Sequence, residues 1–323
     1  MLLKLNAQNF LPTDGYAGTL VGRALFPGVY PGPCVVVIRE DGVHNISGTV
    51  PTMAELLNSK EPIERATKAT GNCVYLGTVE ELLANSTPET HDPLKPYFLS
   101  PIDLQAVKAC DEDTSSHAGV VSKTQTLSSI GSGAEAGIHP DAQRSHSEPE
   151  MVLIVDGTGE LVGVTLGNDV SMLDQQGRAM ETNASCALGP FIRLFDDTFT
   201  AQDAAQQTVT MTVQGDDGFL LSESYEVGDL GRGLDELVGL AFNVHHQFPD
   251  GLALFAGTKY APTQDRGGAG AGFSHKVGDV VTIKAPALGT LVNRVNHSDQ
   301  VHPWNFGFAD LMHNLANRLL IGH

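Results

Sequence analysis

The sequence predicts an α+β, β-rich fold, a mixed β-roll or sandwich with a smaller N-terminal domain. Three observations carry this expectation. Short β-type runs punctuated by glycine dominate the chain after Pro101. Few stretches there have helical spacing. Strands and helices also fail to alternate regularly, which argues against a doubly wound parallel sheet.

Residues 1–100 read as the smaller domain and 101–323 as the larger one. In the first, "PCVVVIRED" is a short β run. "TMAELLNSKEPIERATKA" has helical spacing through Met53, Leu56, Leu57, Ile63 and Ala66, and "VEELLANS" is another short helix. "TPETHDPLKPYFLSPID", with four prolines, reads as a connection between the two units. Beyond it, "MVLIV", "LVGVTL", "TVTMTV", "GLALFAG", "DVVTI" and "GTLVNRV" read as strands. "LDELVGLAFNVHHQF" and "FADLMHNLANRLL" are the two clear helices of this part.

Composition narrows the function. The 323 residues are 41% hydrophobic, enough for a sizeable core, and no apolar run approaches the roughly 18 residues that cross a bilayer. The apolar run before Asn6 is too short for a signal peptide, so the expectation is a cytoplasmic protein. Four cysteines (Cys34, Cys73, Cys110, Cys186) form no CxxC pair, which excludes a zinc ribbon and disfavours a disulfide scaffold. Acidic residues number 38 against 19 basic ones, for a net charge of −19. That field disfavours nucleic acid and anionic membrane as partners. An anionic substrate would need a local cation, and a metal ion would supply one.

Several motifs carry little. "GSGAEAG" and "GGAGAG" do not fit GxGxxG between strand and helix, and no GK[ST] occurs. The twelve histidines form no HExxH, and His245, His246, His297 and His302 read as surface or packed residues.

The stretch "HSEPEMVLIVDGTGELVGVTLGNDVS" is different. It reads as a β-hairpin broken at Asp156-Gly157-Thr158-Gly159, with Glu148 and Glu150 entering the first strand and Asp169 leaving the second. Residues two apart on a strand share a face, their side chains starting about 6.5 Å apart. Asp169 on the returning strand can come level with them. Three hard oxygen ligands suit Mg²⁺, Mn²⁺ or Ca²⁺. Spacing alone leaves a solvated acidic strand end equally open.

The surrounding text extends the reading. "EPE" before an apolar strand, then "TLGNDVS", "NASCALGPFIRLFD", "FPDGLALFAGT", "GFSHKVGDVVTI" and "GTLVNRVNHSD" together resemble the fumarylacetoacetate hydrolase superfamily, in its bacterial sugar-acid catabolism branch. The resemblance runs from "SPIDLQAVKA" to "PWNFG", and more weakly through the first hundred residues. It implies a homodimer with Mg²⁺ on the ExE pair and the Asp of ND, here Glu148, Glu150 and Asp169. It also implies a 2-oxo acid substrate and a metal-stabilised enolate. From the enolate the family dehydrates, hydrolyses a C–C bond or decarboxylates, and the branch points to dehydration of a 2-keto-3-deoxy sugar acid. Lys123 matches a catalytic and substrate-binding lysine, and Gln176 and Thr258 match substrate-binding positions. Glu112 and His117 stand where a longer lid segment with acid/base residues is expected. The chain departs from the pattern there, at Leu173 in place of an arginine, and near Met180, where a lysine is expected. These departures leave open a catalytically impaired metal-binding relative that serves as a binding or assembly protein.

Overall fold

A computed structural model describes residues 3, 5–69, 73–111, 119–260, 262 and 264–321. The strands in chain order are β1 (Leu20–Phe26), β2 (Gly32–Arg39), β3 (Gly42–Asn45), β4 (Val74–Gly77), β5 (Tyr97–Leu99), β6 (Ala106–Asp111), β7 (Gly119–Thr124) and β8 (Glu135–Ile138). There follow β9 (Arg144–Val155), β10 (Leu161–Leu173), β11 (Cys186–Leu194), β12 (Thr208–Gln214), β13 (Leu220–Glu226), β14 (Leu252–Phe255), β15 (Val280–Ala285) and β16 (Gly289–His297). The helices are short: α1 (Ala7–Phe10), α2 (Met53–Leu57), α3 (Pro62–Lys68), α4 (Val79–Ala84), α5 (Ala201–Ala205), α6 (Leu234–Ala241) and α7 (Phe308–Asn317).

The strands form two sheets. The larger runs β4-β3-β2-β1-β11-β10-β9-β14-β6-β7, with β5 also on β1, and the smaller runs β13-β12-β15-β16-β8. Both are mixed, because β14 pairs parallel with β6 and β16 parallel with β8. The fold is therefore the expected β-rich α+β type. The N-terminal strands extend the large sheet through β1 and β11, with Leu20 opposite Arg193 and Val21 opposite Ile192.

Alternation along the central strands divides the core. Met151, Leu153 and Val155 of β9 pack with Met211 and Ile283 of the small sheet and with Leu237 of α6. Val152 and Ile154, on the other face of β9, pack with Met53, Leu56 and Leu57 of α2. A strand buried on both faces reads as a continuous apolar run, as "MVLIV" does.

Three elements differ from their sequence reading. The stretch 52–69 splits into two helices, because Glu61 lies outside helical geometry ahead of Pro62, which opens α3. The helix expected over 234–248 stops at Ala241. Phe242 is extended, and Asn243 turns the chain, its side chain donating to Leu240 O and its backbone exchanging bonds with His246. The proline-rich connection contributes β5, which pairs with β1. Among the described residues no disulfide forms, and no helix is long and apolar enough to cross a membrane.

Candidate metal centre

The turn between β9 and β10 fixes the register of the site. Asp156 Oδ1 accepts hydrogen bonds from Thr158 N, Thr158 Oγ1 and Glu160 N, and Gly159 takes φ +93°, which a residue with a side chain adopts at a cost. Register from this turn puts Asp169 directly opposite Glu148, and Glu150 opposite Gly167. The strands continue past the acids to Arg144 and Leu173. The acids therefore lie within the hairpin ladder, not at its open end as the apolar runs alone imply. Polar residues hid the extension: Ser145 and Ser147 are buried although neither is apolar.

Glu148, Glu150 and Asp169 each present an oxygen within 4.8 Å of the other two. Glu150 and Asp169 are both only 3% exposed. Glu150 Oε2 accepts a 2.6 Å bond from Gly257 N, just beyond β14. His146 Nε2 lies 2.9 Å from Glu148 Oε1. Lys123 forms an ion pair with Asp169.

That ion pair reports the shape of the large sheet. Lys123 is on β7, four strand steps from β10 along β9, β14 and β6. Flat strands would hold the two about 19 Å apart at a spacing of roughly 4.8 Å. A lysine cannot span that, so the sheet curls and brings its edge over the acids. The β6–β7 register also shifts here. Val107 opposes Thr124 and Lys108 opposes Ser122, so Lys123 is the extra residue of a bulge. Bulges bend a strand and re-aim a side chain.

The electrostatics are those of a site short of positive charge. Burial, reinforced by Asp169 and Glu148, holds the Glu150 carboxyl well above its ordinary range. Burial likewise lifts Asp169 to about 6, although Lys123 opposes the rise. For Lys123, burial disfavours the charge, but Asp169, Glu148 and Glu150 outweigh it and hold the ammonium more tightly than usual. Three close carboxylates, with burial raising the proton affinity of Glu150 and Asp169, form an all-oxygen donor set that fits a hard divalent cation. Glu148, Glu150 and Asp169 are the residues that would hold it.

The other expected residues divide. Thr258 follows Gly257, so it is next to a backbone group already bonded to Glu150, and its Oγ1 accepts from Tyr260 N. Gln176 is in an exposed turn beyond β10, donating through its backbone N–H to Asp174 and accepting from Arg178. Glu112 and His117 lie outside the described residues. Sequence reasoning missed His146 and Gly257. His146 was findable, since it continues the i, i+2, i+4 face of Glu148 and Glu150. Gly257 was findable only through its φ of +91°, which no single-sequence pattern reports.

No protein-family model matches the chain. A probable 2-keto-3-deoxyxylonate dehydratase of Haloferax volcanii is 28% identical over 170 residues, 50% of this chain and 55% of that protein. A 2-dehydro-3-deoxy-D-arabinonate dehydratase of Saccharolobus solfataricus is 24% identical over 173 residues, 51% of this chain and 54% of the relative. The chain thus spans about half the length of the curated relatives it matches. Among solved structures, 2-keto-3-deoxy-D-arabinonate dehydratase complexed with magnesium and 2,5-dioxopentanoate superposes with a TM-score of 0.66 at 17% identity, over 86% of this chain and 99% of the other. At that identity the likeness is one of fold.

Proposed function

We propose that this chain, which resembles the fumarylacetoacetate hydrolase superfamily in its sugar-acid dehydratase branch, is a Mg²⁺-dependent lyase that dehydrates a 2-keto-3-deoxy sugar acid. The observation that supports it best is the convergence of Glu148, Glu150 and Asp169 on one face of the hairpin, two of them buried. Mn²⁺ or Ca²⁺ would suit the same oxygen set.

When bound, the ion supplies Lewis acidity, stabilising the charge that develops on the keto oxygen as C3 loses its proton, and its own charge relaxes the field that keeps Lys123 protonated. The chain's own residues do the rest. Glu150 is held in place by Gly257 N, so its carboxylate is already positioned beside the other two acids. Lys123 is paired with Asp169 at the acids, and we assign it proton transfer at C3 of the substrate. Thr258, beside Gly257, donates its hydroxyl to the substrate carboxylate. Gln176 closes the site only if its turn folds toward the acids, and Glu112 and His117 are assigned the acid/base work at the leaving hydroxyl.

A second reading has its own observation. Leu173 and Met180 replace two expected cations, and the ammonium of Lys123 is already engaged by Asp169. Such a protein would bind the ion and a 2-oxo acid without forming product, serving as a binding or assembly protein. A panel of 2-keto-3-deoxy acids and acylpyruvates, incubated with Mg²⁺ and read by product mass, separates the two. Loss of water supports the lyase. Mg²⁺-dependent oxalate binding without product from any member supports the second reading, and absence of both rejects the site.

A further inference from the structure

A second group of reactive side chains lies away from the acids, at the edge of the large sheet. Asp41 is in the turn between β2 and β3, His44 is on β3, and Cys73 immediately precedes β4. His44 is paired across the ladder with Tyr75. Cys73, two residues before Tyr75, shares its face and so sits diagonally beside His44. The His44 side chain is 10% exposed, and its two nitrogens have separate partners. Nε2 lies 3.0 Å from Asp41 Oδ1, and Nδ1 lies 3.7 Å from Cys73 Sγ. A carboxylate only accepts, so the Asp41 contact places the ring proton on Nε2. Nδ1 is then left as an acceptor facing the thiol. The contact with Tyr75 at 5.7 Å, edge to face, helps fix the ring.

We propose that Cys73, with His44 as its base and Asp41 orienting the base, is a peroxide-reactive thiol and hence a site of reversible oxidation. The arrangement of nucleophile, base and orienting acid is the one that activates a thiol. The Cys73 S–H proton passes to His44 Nδ1, and the thiolate attacks one oxygen of hydrogen peroxide. An S–O bond forms as the O–O bond breaks. The departing hydroxide takes a proton from the imidazolium and leaves as water. Sulfur is oxidised by two electrons to the sulfenic acid and the peroxide is reduced.

Among the described residues no such setting surrounds the other three cysteines. Burial pushes the Cys34 thiol up to about 12 and Cys110 to about 11, and holds Cys186 well above its ordinary range. Cys73 is only partly buried. It packs against the core cluster that contains Val35, Val37 and Leu56.

The test uses the full chain. Iodoacetamide labelling at one fixed pH, followed by mass, should modify Cys73 about tenfold faster than Cys110. His44→Ala should slow Cys73 by about tenfold or more, and Asp41→Asn, at an exposed position that folding tolerates, should slow it several-fold. Limiting hydrogen peroxide with dimedone should give a Cys73 adduct, absent from Cys73→Ser. Equal labelling of Cys73 and Cys110, an unchanged rate in Asp41→Asn, or no dimedone adduct would each overturn the proposal.

Discussion

Glu148 and Asp169 face each other across the β9–β10 ladder, two pairs along from Glu150 and Gly167, with Pro149 and Asn168 paired between them. The neighbour of Glu150 has to be small. A Cβ at Gly167 would come within 2.3 Å of the Phe255 ring and 2.6 Å of Val152. The hairpin therefore offers one face with three carboxylates and no bulky side chain between them.

Removing Glu150 should remove the ion. An ion that binds only the folded chain stabilises it by about 2.7 kcal/mol at a concentration 100 times Kd. We expect that stabilisation with Mg²⁺ in the native chain and none in Glu150→Ala, read as Tm against Mg²⁺ concentration. A full Mg²⁺-dependent shift in the variant would refute the assignment of Glu150 as a ligand.

Lys123→Met should separate binding from chemistry. Loss of a positioned proton-transfer group costs roughly 10²–10⁴ in rate. The carboxylates stay, so the Mg²⁺-dependent Tm shift should persist while turnover of the best substrate falls by that factor. Parallel loss of both would show that Lys123 organises the acids and carries no proton.

The metal-free protein should lose stability as pH rises. The Asp169 carboxyl titrates near 6 in the fold against 3.8 as the ordinary value, and Glu150 is shifted in the same direction. A raised folded pKa contributes stability that is complete below the unfolded value and is lost as pH rises through the folded one. The window for Asp169 is therefore about pH 4 to somewhat above 6, worth on the order of 3 kcal/mol. Urea unfolding in EDTA across that window should show the decline. Mg²⁺ should reverse it, increasingly so at higher pH, and Asp169→Asn should flatten it. A metal-free stability that climbs over the same range in both proteins would contradict the charge balance described for the site.

Asp279 anchors a separate buried network. It accepts from Arg266 through Nη1 at 2.6 Å and Nη2 at 2.8 Å, lies 3.0 Å from His275 Nδ1, and accepts from Lys276 N at 2.9 Å. His275 in turn reaches Ser147 of β9 at 3.0 Å. Asp279→Ala leaves several buried donors unpaired and should cost about 3–5 kcal/mol. Urea midpoints with an unchanged m-value would measure it, and a loss under about 1 kcal/mol would mean the network relaxes onto other partners.

The strands were legible where burial on both faces wrote itself as apolar residues, as in Met151–Val155. They were not legible where polar residues are buried in the same strand, as at Ser145 and Ser147, and this misplaced the hairpin's end. The three acids were legible because period two puts Glu148 and Glu150 on one face. Their cationic neighbour was named only through the family resemblance, and nothing in the local pattern put it beside the acids. Lys123 reaches Asp169 through a bulge and the curl of a long sheet, and neither leaves a local pattern in the sequence. The helix ending at Ala241 failed for a related reason. "NVHH" is compatible with helix by spacing, yet Asn243 takes its hydrogen bonds in a turn instead.

The bulge at Lys123 has a consequence for how the chain acquires its chemistry. The three carboxylates are brought together by one hairpin, a contact of short sequence separation that forms early and cheaply. The ammonium arrives only when the sheet has closed, a step of long-range pairing. On the proposed function, ion affinity and proton transfer are thus encoded in parts of the chain that mature at different times. On that reading, mutation can erode the second while leaving the first intact.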